Sequence, residues 1–312
     1  MEDAPFFSDV ADGPADAAAW WVTAEDDIRL RLCAWARQGA AKGTVLLFPG
    51  RTEYVEKYGR TATELAAHGF ATMAIDWRGQ GLSDRLLNDR RIGHVDKFTD
   101  YQRDVAAMLA AAQKAGLPRP YYLLAHSMGG CIGLRAVMDG LDVRACTFTG
   151  PMWGIAMSPV TRTLGGAIAA VSSALGQGHR LAPSTKLETY VSAEPFADNM
   201  LTTDPDMYAY MQAQCLQYPE LALGGPSLHW LHEALAETLA LSRRPSPALP
   251  CATFVGSNER IVDLSRITER MNAWPGGTLN WIEGAEHEVL MERPEMRAPL
   301  IDAIAALFKD NA

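Results

Sequence analysis

The chain has 312 residues, 48% of them hydrophobic, which is enough to form the core of one large domain or two small ones. Its net charge of −9 disfavours nucleic-acid binding, which requires clustered lysine and arginine. No apolar run approaches the length of about 18 residues that a membrane-spanning helix needs, and the N-terminus lacks the basic start and apolar stretch of a signal peptide.

We therefore expect a cytoplasmic protein that makes at most peripheral contact with membranes, since no strongly basic amphipathic helix is apparent. The five cysteines are scattered without CxxC spacing, which argues against a disulfide framework or a zinc site. No group of residues predicts a cofactor or a metal, and nothing in the sequence determines the oligomeric state.

The first half of the chain alternates short apolar runs with segments of helical periodicity. Four runs are typical of buried strands: residues 44–48, 71–75, 121–125 and 145–149. The intervening segments repeat apolar residues at helical spacing: residues 54–65, 98–112 and 131–138. Alternation of this kind predicts a mostly parallel central sheet flanked by helices on both faces.

The alternation stops at Pro151 and resumes only near residue 251. Between them, the only clear patterns are two helical ones, Met207–Leu216 and Leu228–Leu241. Two further strands, Ala252–Val255 and Leu279–Ile282, and a closing helix that starts near Pro294 complete the chain. We therefore predict an α/β core formed by residues 1–150 and 242–312, with a helical cap (a lid) inserted at residues 151–241.

The strongest chemical signal is the segment Ala125-His-Ser-Met-Gly129, which lies between a predicted strand and a predicted helix. A serine on such a tight strand-to-helix turn exposes its hydroxyl above the sheet edge, and the usual pattern is G-x-S-x-G. This chain has Ala125 at the first small position. The segment predicts Ser127 as a catalytic nucleophile.

A serine nucleophile needs a histidine base, which a carboxylate in turn orients. In this fold the chain order is serine, acid, histidine, and both partners follow late strands at the carboxyl edge of the sheet. The last predicted strand leads into His287, which we predict to be the base. The strand before it leads into Glu259, the first choice of acid, and Asp263, the alternative, which also fits a helix cap.

Acyl transfer also needs donors for the oxyanion that develops in the transition state. The turn supplies the backbone N–H of Met128 at the start of a helix, where the helix dipole assists. The loop after the strand 44–48 contains Gly50, which allows the backbone to approach closely. The N–H of Arg51 is therefore the predicted second donor.

Several blocks of the sequence resemble the α/β-hydrolase branch that contains monoacylglycerol lipases and bacterial lysophospholipases. They are Phe48–Tyr58, with the Pro-Gly-Arg start of the lysophospholipase group, Asp76–Ser83, Gly93–Tyr101, Ala125–Gly130, Gly256–Asp263 and Gly284–His287. The resemblance implies Ser127, His287 and the position of Glu259 as the triad. That position usually holds aspartate in the family, which keeps Asp263 as the alternative.

The resemblance implies a serine hydrolase that cleaves carboxylic esters through an acyl-enzyme, with monoacyl lipids such as lysophospholipids or monoacylglycerols as substrates. It also implies that the insertion is a lid lining the acyl pocket, for which Met152, Trp153, Met200 and Trp230 are candidates. The alternatives are a small-ester esterase, an acyltransferase or aminopeptidase using the same triad, and a non-catalytic binding protein on this scaffold.

Overall fold

A central sheet organises the computed structural model, which describes residues 1–158, 171–172 and 175–312. Within these residues the strands are β1 (Glu2–Asp3), β2 (Ala18–Thr23), β3 (Arg29–Trp35), β4 (Thr44–Phe48), β5 (Ala71–Asp76), β6 (Tyr121–His126), β7 (Cys146–Thr149), β8 (Cys251–Gly256) and β9 (Thr278–Ile282). The sheet order is β1-β2-β3-β5-β4-β6-β7-β8-β9. The six strands β4 to β9 run parallel to one another. Strands β3, β2 and β1 extend the sheet beside β5, and each pairs antiparallel with its neighbour.

Helices cover both faces of this sheet. The α-helices of the described residues are α1 (Ser8–Ala11), α2 (Gly59–Ala67), α3 (Tyr101–Lys114), α4 (Met128–Met138), α5 (Tyr190–Ala193), α6 (Pro205–Gln217), α7 (Leu228–Ser242), α8 (Leu264–Asn272) and α9 (Pro294–Asp310). Short 3₁₀ turns occupy Val55–Tyr58, Phe98–Asp100, Pro219–Leu221 and Val289–Met291. The sheet with helices on both faces is the predicted fold class.

The pleat of the strands divides the core into two apolar clusters, one on each face. Along β4, for example, Leu46 and Phe48 join the cluster beneath α3 and α4, whereas Val45 and Leu47 join the cluster beneath α2 and α9. Because both faces of β4 to β8 are buried, these parallel strands are mostly apolar, and this is why the sequence revealed them, whereas the edge strand β9 is partly exposed.

The three antiparallel strands escaped the sequence analysis. The middle of β3 carries Arg31, which interrupts the apolar pattern even though its side chain is fully buried. Most of β2 is only half-buried and combines two alanines with two tryptophans. Neither segment therefore has the apolar run or the clean alternation by which a strand is recognised.

The direction of the sheet reverses at β4. The chain passes from β4 to β5 on one side and then returns to β6 on the other side of β4. In open α/β sheets, ligands bind in the crevice outside the carboxyl ends of the strands at such a switch point. The loop that follows β4 and the turn that follows β6 lie at this point.

The chain between β7 and β8 contributes α5, α6 and α7, and within its described residues it adds no strand to the sheet. The predicted insertion also contains residues 159–170 and 173–174, which lie outside the described residues. Isolated bridges join Ile155 to Val262 and Gly93 to Pro226, so this segment contacts the loops above the sheet edge. No helix in the described part of the chain is long and apolar enough to cross a membrane.

Candidate active site

Ser127 lies on the turn between β6 and α4, with a backbone conformation of φ 50° and ψ −116°. A residue other than glycine is rarely found with positive φ, and it persists only where the surrounding structure imposes it. Two glycines make the tight turn possible. A Cβ on Gly129 would overlap the carbonyl oxygen of Phe48, and one on Gly130 would approach the Cβ of Pro151 to 2.6 Å.

Ala125, which replaces the usual glycine before the serine, is fully buried against α4. The facing residue of that helix is Gly133, and a Cβ built there would lie 3.2 Å from the Cβ of Ala125. The extra methyl group of Ala125 is accommodated because Gly133 has no side chain.

His287 follows β9 and contacts the acid that follows β8. Its Nδ1 lies 2.5 Å from Oε2 of Glu259, whose Oε1 accepts hydrogen bonds from the N–H groups of Ile261 (2.6 Å) and Val262 (3.1 Å). An ionised carboxylate only accepts hydrogen bonds, so the proton is on Nδ1 and Nε2 is left with its lone pair. Burial favours the neutral form of Glu259, but the neighbouring His287 outweighs it and lowers the pKa of the carboxyl.

The alternative acid, Asp263, has a different contact. Its Oδ1 accepts hydrogen bonds from the N–H (3.1 Å) and hydroxyl (2.6 Å) of Ser265, so that it caps α8. Of the two sequence candidates, Glu259 is therefore the one whose carboxylate contacts His287.

Gly150, directly after β7, allows this histidine to sit close to the sheet. A Cβ at that position would lie 3.1 Å from Nδ1 of His287, and the residue has a φ of 47°. The sequence analysis did not identify Gly150. A glycine at the carboxyl end of a central strand could have indicated such a close approach.

Side chains fix the loop that follows β4 from several directions. The Glu53 carboxylate accepts a hydrogen bond from the N–H of Gly50. The indole N–H of Trp77 donates to the carbonyl of Pro49 (2.9 Å), and the amide of Gln80 donates to that of Gly50 (2.8 Å). The backbone beside Ser127 is thus held in one conformation.

The two predicted oxyanion donors belong to this loop and to the start of α4. In the part of the chain that the structure describes, neither the Arg51 N–H nor the Met128 N–H donates to a protein acceptor. Both groups therefore retain the capacity to donate to a ligand.

Beneath the site lies a buried group of charges that we call the Lys57 cluster: Glu53, Lys57, His126 and Glu288. The ammonium of Lys57 lies 2.7 Å from a carboxylate oxygen of Glu53 and 2.7 Å from one of Glu288. Nε2 of His126 lies 3.3 Å from Glu288 and 3.6 Å from Glu53. The cluster joins the loop after β4, the residue before Ser127 and the residue after His287.

The surroundings of His126 show its charge. Its Nδ1 lies 2.9 Å from the backbone carbonyl oxygen of Thr149, and its Nε2 faces the two carboxylates. Nε2 makes no hydrogen bond to the described residues, but the two carboxylates near it and the carbonyl near Nδ1 favour the imidazolium form of the ring. Burial alone would lower the pKa of His126, but Glu288 and Glu53 outweigh it and raise the pKa.

The Lys57 cluster also contains the one set of metal-type donors that the described residues bring together. Ligand atoms of Glu53, His126 and Glu288 lie within 4.8 Å of one another. Lys57 already supplies a cation to both carboxylates, and a protonated His126 has no lone pair for a metal. The donor set therefore fits an internal ion-pair network rather than a metal site.

A cavity of about 650 Å³ opens above Ser127 and His287, which both contribute to its wall. Of the four predicted pocket residues, Met152, Met200 and Trp230 line this cavity. Trp153 does not line the cavity, so its prediction as a pocket residue was wrong. Its ring packs against Phe148 and Trp274, and its N–H donates to the carbonyl of Gly130, so it belongs to the core.

The Lys57 cluster was not predicted from the sequence. One signal was present, because Lys57 follows Glu53 by four residues and interrupts a run that includes Tyr54 and Tyr58. A lysine on an otherwise apolar face indicates a buried partner. The partner itself is 231 residues away and could not be inferred from the sequence.

Residues 39–294 match the sequence profile of the family described as serine aminopeptidase, S33. Lysophospholipase L2 of Escherichia coli K12 is 33% identical over 298 residues, which cover 92% of this chain and 86% of the relative. A monoacylglycerol lipase of Mycolicibacterium smegmatis is 25% identical over 88% of this chain and 91% of its own.

Solved structures share the fold at lower sequence identity. A soluble variant of the monoglyceride lipase of Saccharomyces cerevisiae superposes with a TM-score of 0.73 at 18% identity, covering 94% of this chain and 95% of that one. A thermostable carboxyl esterase of Bacillus coagulans gives 0.74 at 14% identity, over 95% and 98%. Both similarities establish the α/β-hydrolase fold.

Proposed function

The chain belongs to the serine aminopeptidase S33 family of α/β-hydrolases, in the branch of lysophospholipases and monoacylglycerol lipases, and we propose that it hydrolyses monoacyl lipid esters on Ser127. It is a carboxylic ester hydrolase. The observation that carries the proposal is the contact between Glu259 and His287. His287 lines the same cavity as Ser127, which lies on a strained turn.

In the proposed reaction, Nε2 of His287 takes the proton of Ser127 as its hydroxyl attacks the ester carbonyl. The N–H groups of Arg51 and Met128 donate to the oxyanion of the tetrahedral intermediate. His287 then gives the proton to the leaving alcohol, and an acyl-enzyme remains. In the second half, His287 activates water, which releases the fatty acid and regenerates Ser127.

Glu259 orients the base and stabilises the imidazolium that forms when His287 accepts the proton. The hydrogen bonds from Ile261 and Val262 to its second oxygen favour the ionised carboxylate, which supports this role.

We further propose that residues 151–241 form a helical cap over the core, residues 1–150 and 242–312. Met152, Met200 and Trp230 from this segment line the cavity. Methionine and tryptophan give an adaptable apolar wall, which suits an acyl chain. A single acyl chain with its glycerol-based headgroup is the substrate class that we assign to the cavity.

The family description also names aminopeptidases, which would need free carboxylates to bind the amine of a peptide. Two acids of the cavity wall are paired instead: Glu194 lies 2.6 Å from Lys186, and Asp198 lies 3.3 Å from Arg260. Glu188, the third acid of the wall outside the Lys57 cluster, is exposed and forms no ion pair in the described part of the chain, so these pairs remove two of the three acids that could bind an amine.

Substitution of the nucleophile tests the mechanism. We expect Ser127→Ala to lower kcat for a monoacylglycerol by about 10⁵- to 10⁶-fold, because triad members act as a unit. A fluorophosphonate probe should label the wild type and not this variant. Ser242→Ala, which removes a half-buried serine at the end of α7, is the control and should label normally. Normal turnover by Ser127→Ala would overturn the mechanism.

A further inference from the structure

The cations in the cavity wall differ in whether they have a carboxylate partner. The described residues of the wall include four lysine or arginine side chains, and three of these are paired. The pairs are Lys57 with Glu53 and Glu288, Lys186 with Glu194, and Arg260 with Asp198 and Glu286. Arg51 has no carboxylate within ion-pair distance in the described part of the chain, and residues 159–170 and 173–174 contain neither aspartate nor glutamate.

The guanidinium of Arg51 is nevertheless fixed in position by its contacts. Its Nη2 donates to the carbonyl of Gly224 at 2.5 Å, and its planar group lies 5.3 Å from the ring centre of Trp230. Gly93 leaves room for it, since a Cβ there would come within 2.8 Å of Nη2. The buried Nε makes no hydrogen bond to the described residues.

This arrangement leaves an oriented positive charge with unused donors in the wall of the cavity. Burial lowers the pKa of Arg51 to about 10, so it stays charged at neutral pH. A planar guanidinium forms paired hydrogen bonds with carboxylates and phosphates, and it binds them more strongly when water is excluded. Because no carboxylate of the chain pairs with Arg51, an anionic group of the ligand is the missing partner.

The acyl chain of the substrate class is neutral and its ester is neutral, so an anion must come from the headgroup. In a lysophospholipid, the glycerol links the ester directly to a phosphate. Resting on the proposed function, we propose that the Arg51 side chain binds the phosphate of a lysophospholipid whose ester lies at Ser127. Arg51 would thus be a specificity-determining residue that favours phosphate-bearing monoacyl esters over neutral monoacylglycerols.

A second arginine provides a matched control. Arg85 also donates to backbone carbonyls, those of Gly79 and Gly81, has a buried Nε without a hydrogen bond to the described residues, and has no carboxylate within ion-pair distance among them. It does not line the cavity. Arg51 and Arg85 therefore have similar local contacts and differ in access to the ligand.

The test compares kcat/KM for a lysophosphatidylglycerol and a monoacylglycerol with the same acyl chain, below their critical micelle concentrations. The ratio is kcat/KM for the lysophosphatidylglycerol divided by kcat/KM for the monoacylglycerol. We expect Arg51→Met to lower this ratio by roughly 10- to 100-fold, the effect expected for the loss of charged hydrogen bonds. Arg51→Lys should recover part of the ratio because it keeps the charge. Arg85→Met should keep the wild-type ratio.

Binding of an ether analogue of the lysophospholipid, measured by calorimetry, reports on the site without turnover. We expect its Kd to rise in Arg51→Met by a similar factor and to stay unchanged in Arg85→Met. A wild type that binds this analogue yet hydrolyses neither ester would refute the proposed function and leave the phosphate site standing.

Three results would overturn the role of Arg51. The first is that Arg51→Met changes neither the kcat/KM ratio nor the Kd of the ether analogue by more than twofold. The second is an equal loss for both substrates, which would assign the side chain to the support of the oxyanion loop. The third is binding of glycerol 3-phosphate as tight as that of the ether lipid, which would assign the site to a free phosphate ester.

Discussion

Two buried ionic clusters lie on opposite sides of the 3₁₀ turn Val55–Tyr58, and neighbouring residues of that turn belong to different clusters. The first, which we call the Arg31 cluster, consists of Arg31, Glu56 and Asp76, all with fully buried side chains. The guanidinium of Arg31 makes two hydrogen bonds of 2.7 Å to Glu56 and one of 2.7 Å to Asp76. The second is the Lys57 cluster.

Both clusters consist of buried ion pairs, but they lie in different parts of the molecule. The Arg31 cluster joins β3, β5 and the turn, and none of its members lines the cavity, whereas every member of the Lys57 cluster does. Their charges also differ. One cation faces two carboxylates in the Arg31 cluster, but the imidazolium of His126 gives the Lys57 cluster a second cation. We infer that the Arg31 cluster holds the fold and the Lys57 cluster holds the catalytic loops.

Removal of Arg31 is the strongest test of this division. In Arg31→Met, two buried carboxylates lose the cation that pairs with both of them, and breaking a buried pair in this way costs about 3–5 kcal/mol. We expect the free energy of unfolding in urea to fall by that amount, while kcat per active site, counted with a fluorophosphonate, stays within a few-fold of the wild type.

The control for this variant is Arg29→Met on the same strand, whose ion pair with Asp84 is exposed. We expect it to change the free energy of unfolding by less than about 1 kcal/mol. Loss of kcat in Arg31→Met without loss of stability would show that the two clusters are not separate in function.

The same contrast explains what the sequence could and could not reveal. Of the six predicted parallel strands, β4 to β8 are buried on both faces and are mostly apolar, whereas the edge strand β9 is partly exposed and was recognised from its apolar residues Leu279, Trp281 and Ile282. The Ser127 turn and the acid and histidine loops were predicted because glycine and strand ends mark them locally. Strand β3 was missed because Arg31 lies in its centre and its partners, Glu56 and Asp76, are 25 and 45 residues away.

Removal of Lys57 should affect activity more than stability. In Lys57→Met, the imidazolium of His126 still faces Glu53 and Glu288, so we expect a loss of only about 1–3 kcal/mol in the free energy of unfolding. The loops that carry Gly50 and His287 lose their common anchor. A displacement of about 1 Å costs on the order of 100-fold in rate, so we expect kcat to fall 10- to 100-fold.

The measurement for Lys57→Met separates kcat from KM, since misaligned loops lower kcat while the acyl chain still binds. Lys57→Arg keeps the positive charge and should recover most of the rate. If Lys57→Met destabilised the protein as much as Arg31→Met and left kcat unchanged, the Lys57 cluster would be a second structural cluster.

The smallest expected effect is the pH dependence that His126 gives to stability. Burial and the ammonium of Lys57 lower the pKa of His126 in the folded protein, but Glu288 and Glu53 outweigh them and raise it. A raised folded pKa adds stability that is complete below the unfolded value of about 6.5 and is lost as the pH rises through the folded value.

We therefore expect the free energy of unfolding to decline above pH 6.5, by at most about 1.4 kcal/mol per pH unit for this one proton. His126→Gln, which does not titrate, should be less stable at pH 6 and should show a shallower decline in urea unfolding measured from pH 6 to 9. An identical slope in His126→Gln and the wild type would mean that the pKa of His126 is the same in the folded and the unfolded protein, so that Glu53 and Glu288 do not favour its protonated form.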